Sequence, residues 1–175
     1  MDLKKSRDTF WIIDGLFKLL AVGCFAWVIY LAVQLFGYQN PVITDANRIV
    51  VIGLLSEGGL TASQQDVTNT LMAMPQLLVW GIAFWLGSRI FYDLSENRTP
   101  FSKTIQKRID WIAKSVLGLA IFYPVIYSLI ATVVAGEINL YLTFDLSLIM
   151  GLVLSSIAAI FRYAISLQEL ADDTV

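Results

Sequence analysis

The sequence has no histidine and a single cysteine, Cys24, in 175 residues. Without histidine, the commonest general base and the commonest transition-metal ligand are both missing. One cysteine permits neither an intrachain disulfide nor a thiolate metal cluster. Charge is scarce as well: Asp, Glu, Lys and Arg make up 15% of the chain, against about 25% in soluble globular proteins. A net charge of −2 confers no general affinity for nucleic acid, so direct nucleic-acid binding is not expected. No nucleophile, base and orienting group stand together. The chain is therefore read as non-enzymatic, with no catalytic residues, no metal ligands and no cofactor.

What the sequence has in abundance is hydrocarbon. Hydrophobic residues are 57% of the chain, including 5 Trp, 7 Tyr and 10 Phe, and the mean hydropathy is +0.70. A water-exposed globule of this size could not cover so much apolar surface, so the lipid bilayer must be part of its solvent. The length fits one domain. Charge-free runs cover residues 19–44, 67–88, 115–136 and 146–161. A helix crosses the hydrocarbon core with about 20 apolar residues. With their interfacial ends the spans are expected at residues 10–36, 67–92, 111–135 and 141–166, the short fourth run being extended backwards to reach spanning length. The fold class expected is all-α, a four-span transmembrane helical bundle with both termini cytoplasmic. Lys4, Lys5 and Arg7 precede the first run as in a signal peptide, but its apolar core is too long and no small-x-small cleavage pattern follows, so it is read as a retained helix.

Orientation follows from the basic residues. Lys4, Lys5, Arg7, Lys18, Arg89, Arg98, Lys103, Lys107, Arg108, Lys114 and Arg162 fall on one side of the alternating spans, and only Arg48 on the other. The positive-inside rule then places both termini and the loop 93–110 in the cytosol, and the loop 37–65 outside. Asp14 and Lys18, Arg89 and Asp93, and Asp110 and Lys114 are each four residues apart, on one helix face, with the cation deeper in every pair. A long aliphatic stem can return its charge to the interface, whereas a carboxylate cannot. Arg162 repeats the pattern, with Glu169 as the nearest acid in the chain.

In the outer loop, residues 49–55 are compatible with a short strand or an interfacial segment, and periodicity does not choose between them. Ser63 and Asp66 have capping-box spacing for the second helix. Pro75 and Pro124 lie inside predicted spans, where each removes one helix hydrogen bond. Gly151, Ser155 and Ala159, with Ala158 alongside, and Ala83 with Gly87, are small-residue rows. They are read first as internal packing seams and alternatively as faces for a homo-oligomer. Thr99 followed by Pro100, with Ser102 as rival cap, opens an amphipathic basic helix on which Phe101, Ile105, Ile109 and Ile112 recur beside Lys103, Lys107, Arg108 and Lys114. Such a helix anchors to an anionic leaflet without any protein partner. The chain then ends in an acidic tail, Glu169, Asp172 and Asp173, read first as folding back onto the basic loop and second as a surface for a basic protein.

Two stretches resemble a known family. They are residues 94–107 around Thr99-Pro100-Phe101-Ser102, and the ending Ile160-Phe161-Arg162-Tyr163 with Leu167-Gln168-Glu169 and Asp173-Thr174-Val175. Both are similar to the signatures of the bacterial integral membrane family catalogued as domain of unknown function 2975. The resemblance spans most of the chain, and its closing pattern is the more distinctive. Where members often carry Gly shortly before Pro-Phe, this chain has Asn97, Arg98 and Thr99. The resemblance implies four helices with short cytoplasmic ends in a bacterial inner membrane, and it carries over no catalytic residues. Because some members lie beside small helix-turn-helix regulators, it also implies such a regulator as a candidate partner. The leading expectation is thus a membrane protein whose cytoplasmic face sequesters a small DNA-binding regulator, using Phe101, Lys103, Lys107, Arg108, Lys114, Arg162, Glu169, Asp172 and Asp173. The alternatives are a small permease or transporter helper, with Pro75 and Pro124 marking mobile helices, and a lipid-binding or immunity-type protein using the basic rim.

Overall fold

The computed structural model describes residues 3–38, 50–55, 60–96 and 102–172. Four helices carry the charge-free runs: α1 (Leu3–Val33), which passes into a π-helical turn (Gln34–Tyr38), α2 (Ala62–Ser95), α3 (Lys103–Ala135) and α4 (Leu146–Asp172). All four are long and apolar enough to span a membrane, so the all-α four-span bundle expected from the sequence is the observed architecture. Pro75 and Pro124 are both accommodated inside helices, in α2 and α3.

Local chemistry sets the helix ends. α2 starts from Thr61, not Ser63: Thr61 Oγ1 accepts the Gln64 N–H, and Gln64 Oε1 accepts the Thr61 N–H at 2.9 Å. A glutamine reaches back to the cap backbone in the way a capping box requires. α3 starts from Ser102, whose hydroxyl accepts the Ile105 N–H at 3.3 Å, and the rival cap Thr99 lies outside the described residues. It stops at Gly136, where φ is +73°, a left-handed conformation that costs a glycine little.

Helix contacts run α1 on α2, α2 on α3 and α3 on α4, making α2 and α3 the middle and α1 and α4 the flanks. The α1–α2 seam is aromatic, with Phe17 edge-on to Phe84 at 5.7 Å and close to Phe91 at 5.2 Å. Gly87 makes room for Phe17: a Cβ there would sit 2.6 Å from the ring. On α4 the buried positions are Ser147, Gly151, Ala158 and Ile165, and a Cβ on Gly151 would meet the Leu117 backbone of α3 at 2.8 Å. The small-residue rows are therefore internal seams at Gly87 and Gly151. The row expected at every fourth position does not hold along α4, because the helix follows a seven-residue drift and Ala159 turns outward while Ala158 packs.

One departure from expectation concerns the end of the bundle away from the chain termini. Residues 141–145, expected as the start of span four, instead form a strand, β2 (Tyr141–Asp145), antiparallel to β1 (Val50–Leu55), with Leu55 opposite Tyr141 and Gly53 opposite Thr143. Hydropathy alone reads those residues as helix. A strand is tolerated there because its backbone groups are paired with β1. The same pairing resolves the ambiguity of the outer-loop stretch over residues 50–55 in favour of a strand, and residue 49 lies outside the described residues. Two hydroxyls on α3 then suture the returning segment to the helix. Ser128 Oγ accepts the Tyr141 N–H at 2.8 Å and lies 2.8 Å from the Pro124 carbonyl, and Thr132 Oγ1 accepts the Asn139 N–H at 3.1 Å. Beneath this cap lies a small core of Met72, Tyr123, Tyr127 and Ala131, with Tyr141 set edge-on to Tyr127 at 5.1 Å.

Candidate functional site

The candidate site is the opposite end, where the start of α3 meets the ends of α2 and α4 and the first half of α1. Ser102 sets the phase of α3 there. Ile105 is driven into the core, and Lys103 and Lys107 are left exposed.

Each helix interface at this end holds at least one carboxylate. Between α1 and α2 the buried Asp14 pairs with Lys18 at 2.7 Å and accepts a hydrogen bond from Ser88 Oγ at 2.6 Å. Between α2 and α3 the buried Asp93 pairs with Arg108 at 2.6 Å, and Arg108 Nη1 also donates to the Arg89 carbonyl at 2.9 Å. Between α3 and α4, Asp110 holds Lys114 at 2.6 Å and Arg162 at 3.1 Å. Lys103 and Glu169 form a second α3–α4 link at 2.6 Å, with both side chains more than half exposed, at 71% and 53%. In hydrocarbon or at its edge, an unpaired charge is costly, and these pairings remove most of that cost.

The four-residue spacings Asp14–Lys18 and Asp110–Lys114 are ion pairs as expected. Asp93 takes Arg108 from the neighbouring helix, while the Arg89 guanidinium lies over the Trp85 ring at 5.6 Å. Arg162 pairs with Asp110, not with the acid nearest in sequence, because Glu169 is engaged by Lys103.

The structure thus brings together Lys103, Arg108, Lys114, Arg162 and Glu169, each ion-paired within the chain, and leaves Lys107 exposed with no ion pair among the described residues. Phe101 and Asp173 lie outside the described residues, and Asp172 is described only as the last residue of α4. The Lys103–Glu169 link matches the fold-back reading of the tail. Sequence reasoning missed the role of Ser88 as a cross-helix donor and those of Asp93 and Asp110 as cross-helix acceptors. The signal available was a small or acidic residue placed one or two turns from a span end, which is too common to single out. Among the described residues no three Cys, Asp or Glu side chains converge into a group able to hold a metal ion. Compared with protein-family models, curated proteins and solved structures, the chain has no match.

Proposed function

We propose that this chain is a non-enzymatic protein of a bacterial inner membrane, basic end towards the cytosol, which binds and sequesters a small helix-turn-helix regulator through that end. The observation that carries this reading is the Lys103–Glu169 pair, which ties the acidic end of α4 to the first turn of α3 through two exposed side chains. An exposed pair of this kind adds little net stability, so its acid can be exchanged for a partner's cation at small loss. A DNA-binding regulator places its cations on phosphates, and an acidic tail held at a membrane competes for the same cations. The resemblance to the family some of whose members lie beside such regulators supports the same partner.

The test is retention of a purified small helix-turn-helix regulator on the full chain in detergent. Retention lost on Glu169→Lys and on raising salt, with the Asp93–Arg108 clamp left intact, is the expected result. Equal retention by the wild type and the Glu169→Lys protein overturns the reading. Sidedness is read separately, from whether Leu170→Cys in a Cys24→Ser background is labelled from the cytosolic face of sealed membranes.

A second reading rests on Lys107, the exposed cation, which would sit against anionic headgroups of the adjacent leaflet. It predicts salt-sensitive retention of anionic lipid that falls on Lys107→Gln.

A further inference from the structure

Asp110 holds two cations at once: Lys114 Nζ lies 2.6 Å from its Oδ2, and Arg162 Nη1 lies 3.1 Å from its Oδ1. One carboxylate balances one of them, so the group keeps a net positive charge. The other pair on the α3–α4 seam, Lys103 with Glu169, is neutral and supplies no compensation. Both cations face outward, with side chains 71% and 51% exposed. Lys114 has three N–H donors and Arg162 five, and Asp110 is the hydrogen-bond or ion-pair partner of each among the described residues, with no other. Most of those donors are open to a second anion. Because the two nitrogens sit on the two oxygens of one carboxylate, they are close enough for two oxygens of a single phosphate to engage both.

The depth of the pair identifies the anion as a lipid's. Counting about 20 residues back from the helix stop at Gly136 puts the hydrocarbon edge near Val116 on α3, and counting about 20 forward from Leu146 puts it near Ile165 on α4. Lys114 and Arg162 therefore stand at headgroup level, beside the exposed Trp111 and Tyr163, rings of the type that gathers at that level. Below Lys114 the same helix face continues through Gly118 to Ile121. A Cβ on Gly118 would meet no side chain or neighbouring element within 4 Å among the described residues, and Ile121 is exposed, so an apolar chain has room beneath the cations. A free phosphate matches the cations alone, whereas a phospholipid matches the cations and the apolar face. We infer that the α3–α4 edge binds one anionic phospholipid of the leaflet at the basic end, its phosphate held by Lys114 and Arg162 and an acyl chain running past Gly118 to Ile121. The inference depends neither on a regulator nor on Lys107, and it holds whichever end faces the cytosol.

The test titrates the full chain in detergent with phosphatidylglycerol or phosphatidylcholine of identical acyl chains and counts bound lipids by native mass spectrometry. The expected result is one phosphatidylglycerol per chain, held about tenfold more tightly than phosphatidylcholine, whose own quaternary ammonium neutralises its phosphate. Lys114→Gln, a change at an already exposed side chain, and Arg162→Gln should each reduce phosphatidylglycerol to the phosphatidylcholine level. Asp110→Asn breaks the α3–α4 clamp but leaves both cations, so the preference should survive it, and Lys107→Gln should leave it unchanged. Excess inorganic phosphate should not displace the lipid. Equal binding of the two lipids by the wild type, or a preference that survives Lys114→Gln, overturns the inference. So does a preference that falls as far in Lys107→Gln as in Lys114→Gln, which would show diffuse attraction to the basic rim. Loss on Asp110→Asn would make the two cations structural only, and displacement by inorganic phosphate would make the site one for a bare anion; either result also overturns it.

Discussion

At the basic end the four helices are joined through carboxylates, Asp14 by way of Ser88 between α1 and α2, Asp93 between α2 and α3, and Asp110 and Glu169 between α3 and α4. At the capped end the joining groups are the neutral hydroxyls of Ser128 and Thr132, the ring of Tyr141 and a two-stranded ladder. The difference follows from what each end must hold. Whole helices are clamped at the basic end, where Arg108, Arg162 and Lys103 reach across to a neighbouring helix and only the α1–α2 link is a short hydroxyl, Ser88 on Asp14. A connecting segment is laid against a single helix at the capped end, where a short hydroxyl reaches an adjacent N–H at 2.8 Å. Charged links can change partner and respond to salt; hydroxyl-to-backbone links are fixed in geometry and do not. The bundle thus has one set end and one end whose outermost link can be re-paired.

The largest effect expected is from Asp93→Ala. It strands the mostly buried Arg108 between α2 and α3, and removing one member of such a pair costs about 3 kcal/mol. Unfolding by denaturing detergent, followed by circular dichroism, should register it, and Asp93→Asn should recover part of the loss. Ser128→Ala comes next, at about 2 kcal/mol, because the part-buried Tyr141 N–H loses its acceptor. This loss should be the same in low and high salt. A salt dependence there would erase the distinction between the ends. Gly136→Ala should cost roughly 1 kcal/mol through its left-handed φ and should act on the capped end alone, read from faster amide exchange at Asn139 and Tyr141.

How much of this was legible in the sequence depended on how local the cause was. The four spans were readable because hydropathy over 20 residues is a property of the run itself. Asp14–Lys18 and Asp110–Lys114 were readable because one helical turn brings the partners together without help from the fold. Asp93 was not, since Arg89 and Arg108 are both within reach of it in principle and only the packing of α3 on α2 selects Arg108. The Thr61 cap was missed because Thr61 and Ser63 each stand three residues before a plausible partner, and the choice fell to the glutamine that also donates to the Val134 carbonyl of α3. β2 was read as helix because its partner strand lies some ninety residues earlier in the chain. Of the candidate site, the sequence offers charged residues on both sides of the helix ends but not which of them meet. Their mutual engagement, which makes most of them clamps, is a tertiary fact. Asn139 carried no sequence signal, since an asparagine after a helix-stopping glycine reads as ordinary turn chemistry.

The smallest effect separates a clamp from a latch. Lys103→Ala and Glu169→Ala break an ion pair whose two members are both exposed, so neither should move the unfolding midpoint measurably. Each should instead free the last turns of α4, seen as faster amide exchange over residues 165–172 with no change at Tyr141, and the charge-reversed double variant Lys103→Glu with Glu169→Lys should restore protection. Salt at about 1 M, where the Debye length falls to about 3 Å, should reproduce the single variants in the wild-type chain. A midpoint shift as large as that of Asp93→Ala would show that the tail is part of the bundle's structure. An unchanged midpoint with a loosened tail would show that Glu169 is held in reserve, paired within the chain until a stronger cation displaces Lys103.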